Sequence, residues 1–109
     1  MWFVFPQLKG LGRSGVAQHF GIASRAEAEA YWRHPVLGAR LKECCSLVLS
    51  IKGKTALQIF GSPDELKFRS CLTLFEQAAA QEPLFGQLLD RYYGGVRDPA
   101  TLKLSAACM

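Results

Sequence analysis

Asp64, Lys67, Ser70 and Thr73 recur every three residues, a spacing that keeps four polar groups near one helix face while they drift slowly around it. A lysine followed by two hydroxyls suits the polar wall of a pocket, with the ammonium holding an anionic group and the hydroxyls orienting it. The same row also serves ordinary hydrogen bonds within and between helices, with Asp64 complementing the positive end of the helix dipole. Asp64 and Glu65 already occupy that end, so Lys67 must meet an anion from a neighbouring face.

A second basic segment is Gln7–Ser14, where Gly10 and Gly12 let backbone N–H groups approach a ligand and Lys9 and Arg13 add charge. It is neither a dinucleotide fingerprint nor a P-loop, and its glycines also serve plain turn geometry. Together with Arg40, these segments define the candidate ligand-binding set: Gln7, Lys9, Arg13, Arg40, Lys67, Ser70 and Thr73. His34 is the weak candidate for acid–base work, because imidazole titrates near neutral pH. Beside Pro35 it equally satisfies backbone groups at the start of a helix. Arg91, Tyr92 and Tyr93 can stack on a base or ribose, although Tyr92 falls in an apolar stripe.

Cys44, Cys45, Cys71 and Cys108 contain no C-x-x-C pair, and His19 and His34 supply no zinc spacing, so neither a metal site nor a cofactor motif is expected. Cys44 and Cys71 fall on apolar helix faces, where a thiol packs as a small hydrophobe. Reduced thiols of this kind suggest a cytoplasmic setting. Net charge is +4. Eight of the Lys/Arg residues precede residue 56 against three acids, but they are dispersed singly and form no polybasic arm. That pattern argues against nucleic acid and leaves a small anionic ligand as the expected partner. No apolar run approaches the length of a membrane span, and the apolar start lacks the basic lead of a signal peptide.

The elements that must position these groups are helical. Half the residues are hydrophobic and a fifth are charged, which suits a single globular domain over residues 1–109. Ser14 can cap a short helix over Gly15–Phe20. Ser24 with Glu27 fits a capping box that opens a helix over Arg25–Arg33, with Ala26, Ala30 and Tyr31 inward. Pro35 breaks the chain at His34 and starts a helix over about Val36–Lys52, striped by Leu37, Leu41, Cys44, Cys45, Val48 and Ile51. Thr55 caps one turn through Phe60. Ser62-Pro63-Asp64-Glu65 opens the helix whose stripe is Phe68, Cys71, Leu72, Phe75, Ala78 and Ala79. Phe85, Leu88, Leu89 and Tyr92 mark another before Gly94-Gly95, and Asp98-Pro99 opens a last short turn. With no alternating segment, the fold class is all-α: a compact domain of about six short-to-medium helices.

Several blocks carry a resemblance: Trp2-Phe3-Val4-Phe5-Pro6-Gln7, Gly10-Leu11-Gly12, His34-Pro35-Val36-Leu37-Gly38, Gly61-Ser62-Pro63-Asp64 and Asp90-Arg91-Tyr92-Tyr93-Gly94-Gly95. So do Leu66-Lys67, Ser70 and Thr73-Leu74-Phe75. In order and spacing the chain resembles the domain-of-unknown-function 1810 family, which implies a mainly α-helical domain without an established activity. Family members usually carry a further N-terminal helical segment, so the resemblance implies that this chain begins inside the Trp-Phe block. Trp2, Phe3 and Phe5 are then expected to offer an apolar surface for self-association.

The functional expectation is a binding module for a phosphorylated small molecule, such as a nucleotide or an ADP-ribose-like compound. Two alternatives stand beside it. One is an enzyme acting on such a ligand with His34 or a pocket carboxylate as the acid–base group. The other is a protein-interaction module using the apolar N-terminal surface.

Overall fold

The computed structural model describes Phe5, Ile22, residues 25–62 and residues 64–107, with side chains through Lys103. The Gln7–Ser14 loop, the Gly15–Phe20 helix, and Trp2 and Phe3 lie outside the described residues. Six helices follow one another: α1 (Arg25–Arg33), α2 (Leu37–Ser50), α3 (Ala56–Phe60), α4 (Asp64–Ala78), α5 (Leu84–Tyr93) and α6 (Pro99–Ala107). The all-α expectation holds among these residues.

Local signals set most of the boundaries. Thr55 accepts the Gln58 N–H through its hydroxyl while the Gln58 side chain accepts the Thr55 N–H, a reciprocal capping box that starts α3. Gly94 closes α5 at φ 60°, a left-handed conformation that a side chain would strain. Two boundaries differ from the sequence pattern. Helix α2 ends at Ser50 because Ile51 turns to extended backbone, two residues before the expected end. Helix α6 runs nine residues where one turn was expected, because Asp98 supplies a full side-chain cap.

Helix α4 is the axis of the domain, packing against α1, α3, α5 and α6, while α2 packs on α1 and α5. Phe68, Cys71, Leu72, Leu74, Phe75, Phe85, Leu88 and Leu89 are fully buried and meet Leu41, Cys45 and Val48 from α2. Every residue from Ser70 to Phe75 is buried. Six consecutive residues turn through more than a full revolution, so no face of α4 is left to water at this level. In α1 the inward residue is Ala28, whereas Ala26 and Ala30 are exposed and Tyr31 is half-buried. An alanine-rich helix carries too little hydrophobic contrast for its sequence to say which alanine faces in. Phe5 is 7% exposed, edge-on to Phe60 and Phe68 with centroids 5.9 and 4.7 Å away. Its ring belongs to this core and is not offered to a partner.

Candidate functional site

The polar row on α4 divides in two. Lys67 sits at the surface near Asp64, 3.3 Å away, and both side chains are more than a third exposed. An exposed pair of this kind contributes at most about 1 kcal/mol, so it leaves the ammonium free to change partners. Ser70 and Thr73 lie on buried helix. The Ser70 hydroxyl lies 3.1 Å from both the Leu66 carbonyl and Asp98 Oδ2. The Thr73 hydroxyl donates to the Arg69 carbonyl at 2.8 Å and accepts the Asp98 N–H at 3.0 Å. Burial of a hydroxyl demands such partners. For either group to touch a ligand, the start of α6 would have to leave α4.

Asp98 is the centre of this arrangement. Oδ2 accepts the Thr101 N–H at 3.0 Å and the Thr101 hydroxyl, capping α6, and Oδ1 lies 3.4 Å from Arg69 Nη2. The carboxylate therefore ties the first turn of α6 to α4 through Ser70, Arg69 and, by its own backbone, Thr73. Sequence reasoning missed Asp98 as the partner of the row, since 28 residues separate it from Ser70.

Arg40 lies at a different place, in the first turn of α2. It is exposed and pairs with no carboxylate among the described residues. Burial raises the Tyr31 phenol above its usual 10.0 and the Cys71 thiol adds to this, while the Arg40 guanidinium opposes both. The Tyr31 hydroxyl is thus within electrostatic reach of Arg40 on α2 and of Cys71 on α4. Cys71 follows Lys67 by one helical turn, so Arg40 and Lys67 border the same α1–α2–α4 corner. Gln7, Lys9 and Arg13 lie outside the described residues.

His34 joins α1 to α2. Its Nδ1 accepts the N–H groups of Val36 at 3.2 Å and Leu37 at 3.1 Å, and its carbonyl accepts the Gly38 N–H at 2.9 Å. The imidazole is exposed and stands in for the side-chain cap that Val36 cannot supply. Nδ1 is committed as an acceptor, which makes Nε2 the N–H of the neutral ring. Gly38 closes the same corner: a Cβ built there would lie 2.0 Å from the Trp32 carbonyl oxygen. The His34–Gly38 block is a tight helix–helix corner.

Arg91 and Tyr92 also act as caps. Arg91 donates to the carbonyls of Leu49 at 2.7 Å and Ile51 at 2.6 Å, and the Tyr92 hydroxyl donates to Val48 at 2.7 Å. They satisfy the last carbonyls of α2 from a neighbouring helix, as a cation near a C-terminus does. The Tyr93 hydroxyl donates to the Glu65 carbonyl, and its burial, with the Glu65 charge beside it, pushes the phenol well above the usual range. Burial moves the Cys45 thiol up to about 12, with Cys44 adding to it, and raises Cys71 further still. Neither thiol supplies a thiolate nucleophile near neutral pH. Among the described residues there is no cluster of three His, Cys, Asp or Glu side chains that would hold a metal ion, and no helix is long and apolar enough to cross a membrane.

Residues 1–105 match the model of a family described as a protein of unknown function, DUF1810. The structure is similar to the crystal structure of the conserved hypothetical protein Rv1873 from Mycobacterium tuberculosis. That chain is 50% identical, with a TM-score of 0.95 over 96% of this chain and 75% of the other. No protein of curated function matches the sequence.

Proposed function

The chain belongs to the DUF1810 family of proteins of unknown function, and we propose that it is a binding module for a phosphorylated small molecule such as a nucleotide or an ADP-ribose-like compound. The observation that carries this reading is Arg40, an exposed guanidinium beside the Tyr31 hydroxyl with no carboxylate partner among the described residues. Lys67 supplies a second cation at the same corner, held only by an exposed contact with Asp64. A phosphate fits between a planar, bidentate guanidinium and a mobile ammonium, each in its own manner. In this reading Gln7, Lys9 and Arg13 add backbone and side-chain donors. Ser70 and Thr73 contribute by fixing α4 under the site, because their hydroxyls are engaged with Asp98.

Thermal melting of the chain with a panel of nucleotides and ADP-ribose compounds tests this directly. A ligand that binds only the folded state must stabilise it, by about 2.7 kcal/mol at a hundred times its Kd. We expect one compound to raise the melting temperature, and Lys67→Ala and Arg40→Gln to reduce that rise without altering the melt of the free protein. If the unaltered chain ignores the whole panel, the proposal fails. A chain that then runs above monomer size in solution would favour the interaction module instead. Turnover of a bound compound that stops in a still-folded His34→Ala variant would favour the enzyme.

A further inference from the structure

Helices α1 and α4 end side by side, and between their C-termini lies a pocket of about 380 Å³ bordered by Trp32, Arg33, Ala78, Ala80, Gln81 and Glu82. That volume falls in the range that holds small molecules. Three features give it a definite chemistry. First, α4 ends here with no basic residue in its last turn, so its outward carbonyls and the negative end of its dipole are not neutralised from within the helix. Glu82 adds a carboxylate, 20% exposed, whose contact is Lys42 at 3.4 Å, itself more than half exposed. Second, Arg33 brings a guanidinium that is exposed and pairs with no carboxylate among the described residues. Third, Trp32 forms a fixed apolar wall. Its indole packs edge-on to Phe85 at 5.2 Å, and its carbonyl is backed by Gly38 so closely that no Cβ fits between.

A negative corner, a positive arm and an indole between them complement a molecule carrying both charges and a short apolar body. We infer that this pocket is a site for an α-amino acid taken as its zwitterion. The ammonium faces the carbonyl end of α4 and Glu82, the carboxylate faces Arg33, and the side chain lies along Trp32. A phosphate would face the wrong end of the α4 dipole here. This site is therefore independent of the one proposed at Arg40 and Lys67, which lies at the opposite end of α4.

The chain has two tryptophans, so a Trp2→Phe variant makes Trp32 the sole indole reporter. Its fluorescence would be titrated with L-leucine, L-phenylalanine and L-glutamine. The same titration would use 3-methylbutylamine and 4-methylpentanoate, which are leucine without its carboxylate and without its ammonium. We expect a saturable change with at least one amino acid and responses at least tenfold weaker for the one-charge analogues. Arg33→Gln should weaken binding about tenfold, which corresponds to about 1.4 kcal/mol, with an unchanged melting temperature. Calorimetric titration of the unaltered chain with the same compounds gives the answer should Trp2→Phe fail to fold. The inference is overturned if no amino acid binds through the millimolar range. It is equally overturned if a one-charge analogue binds as well as its parent, or if Arg33→Gln binds as the unaltered chain does.

Discussion

Replacing Asp98 by alanine removes the carboxylate that joins α6 to α4. The variant loses the side-chain cap on the Thr101 N–H, which costs about 1 kcal/mol. The buried Thr101 hydroxyl loses the acceptor it uses in this structure, adding about 1–3 kcal/mol for an unsatisfied polar group. Arg69, 23% exposed and with its Nε already lacking a hydrogen-bond partner, loses its carboxylate as well. Ser70 is spared, because its hydroxyl still reaches the Leu66 carbonyl. The Asp98 N–H keeps Thr73. The sum is about 3–4 kcal/mol, within the usual cost of breaking a buried charge pair by removing one partner. In urea this shifts the midpoint down at an unchanged slope, and in a thermal melt it lowers Tm by more than about 10 °C for a domain of this size. Hydrogen exchange should show the amides of residues 99–107 losing protection before those of α4. Asp98→Asn, which keeps one acceptor oxygen, should fall between the two. If Asp98→Ala costs less than about 1 kcal/mol, or no more than Asp98→Asn, the carboxylate does not hold α6 and the account of this hub is wrong.

Gly38→Ala should destabilise the domain by at least about 3 kcal/mol in a denaturant melt. The new Cβ would overlap the Trp32 carbonyl, which is backbone and cannot swing away, and overpacking of this kind outweighs the ~1 kcal/mol gained in helix propensity; a neutral result would remove the clash from the picture. His34→Ala should cost about 1 kcal/mol of stability by uncapping α2, and His34→Asn should recover most of it by restoring an acceptor; equal losses in both would show that the imidazole is not acting as a cap. On the alkaline side, the thiols of Cys45 and Cys71 ionise at higher pH in the folded chain than their usual 9.0. The unfolded chain thus releases those protons first. Stability is full below pH 9.0 and falls as pH rises toward about 12, by up to about 1.4 kcal/mol per pH unit for each group held protonated. Cys45→Ala should flatten that fall when urea midpoints are compared across the range, and parallel slopes would refute it.

Much of the architecture was legible because helix ends are set by neighbours in sequence. The Thr55 cap with Gln58, the break at His34-Pro35 and the stop at Gly94 each act within about one helical turn, so their meaning survives in the bare chain. The apolar stripe of α4 was legible for the same reason, since a 3.6-residue period reports a buried face directly. Where the pattern was weak, it misled: Ala26 and Ala30 have the inward spacing of Ala28 without its burial.

What the sequence alone determined about this protein is its helices, their order and the family to which their motifs belong. Tertiary structure alone decided the meaning of the polar residues. Ser70 and Thr73 look like a ligand-facing row until α6 lays Asp98 across them. Arg91 and Tyr92 look free to stack until they meet the last carbonyls of α2, some forty residues earlier in the chain. Trp32, Arg33 and Glu82 share a pocket only because α1 and α4 end side by side. A hydroxyl, guanidinium or carboxylate has the same composition whether it faces water or a buried partner. Its role is set by the groups that folding places within a few ångströms of it, and sequence separation does not encode that distance.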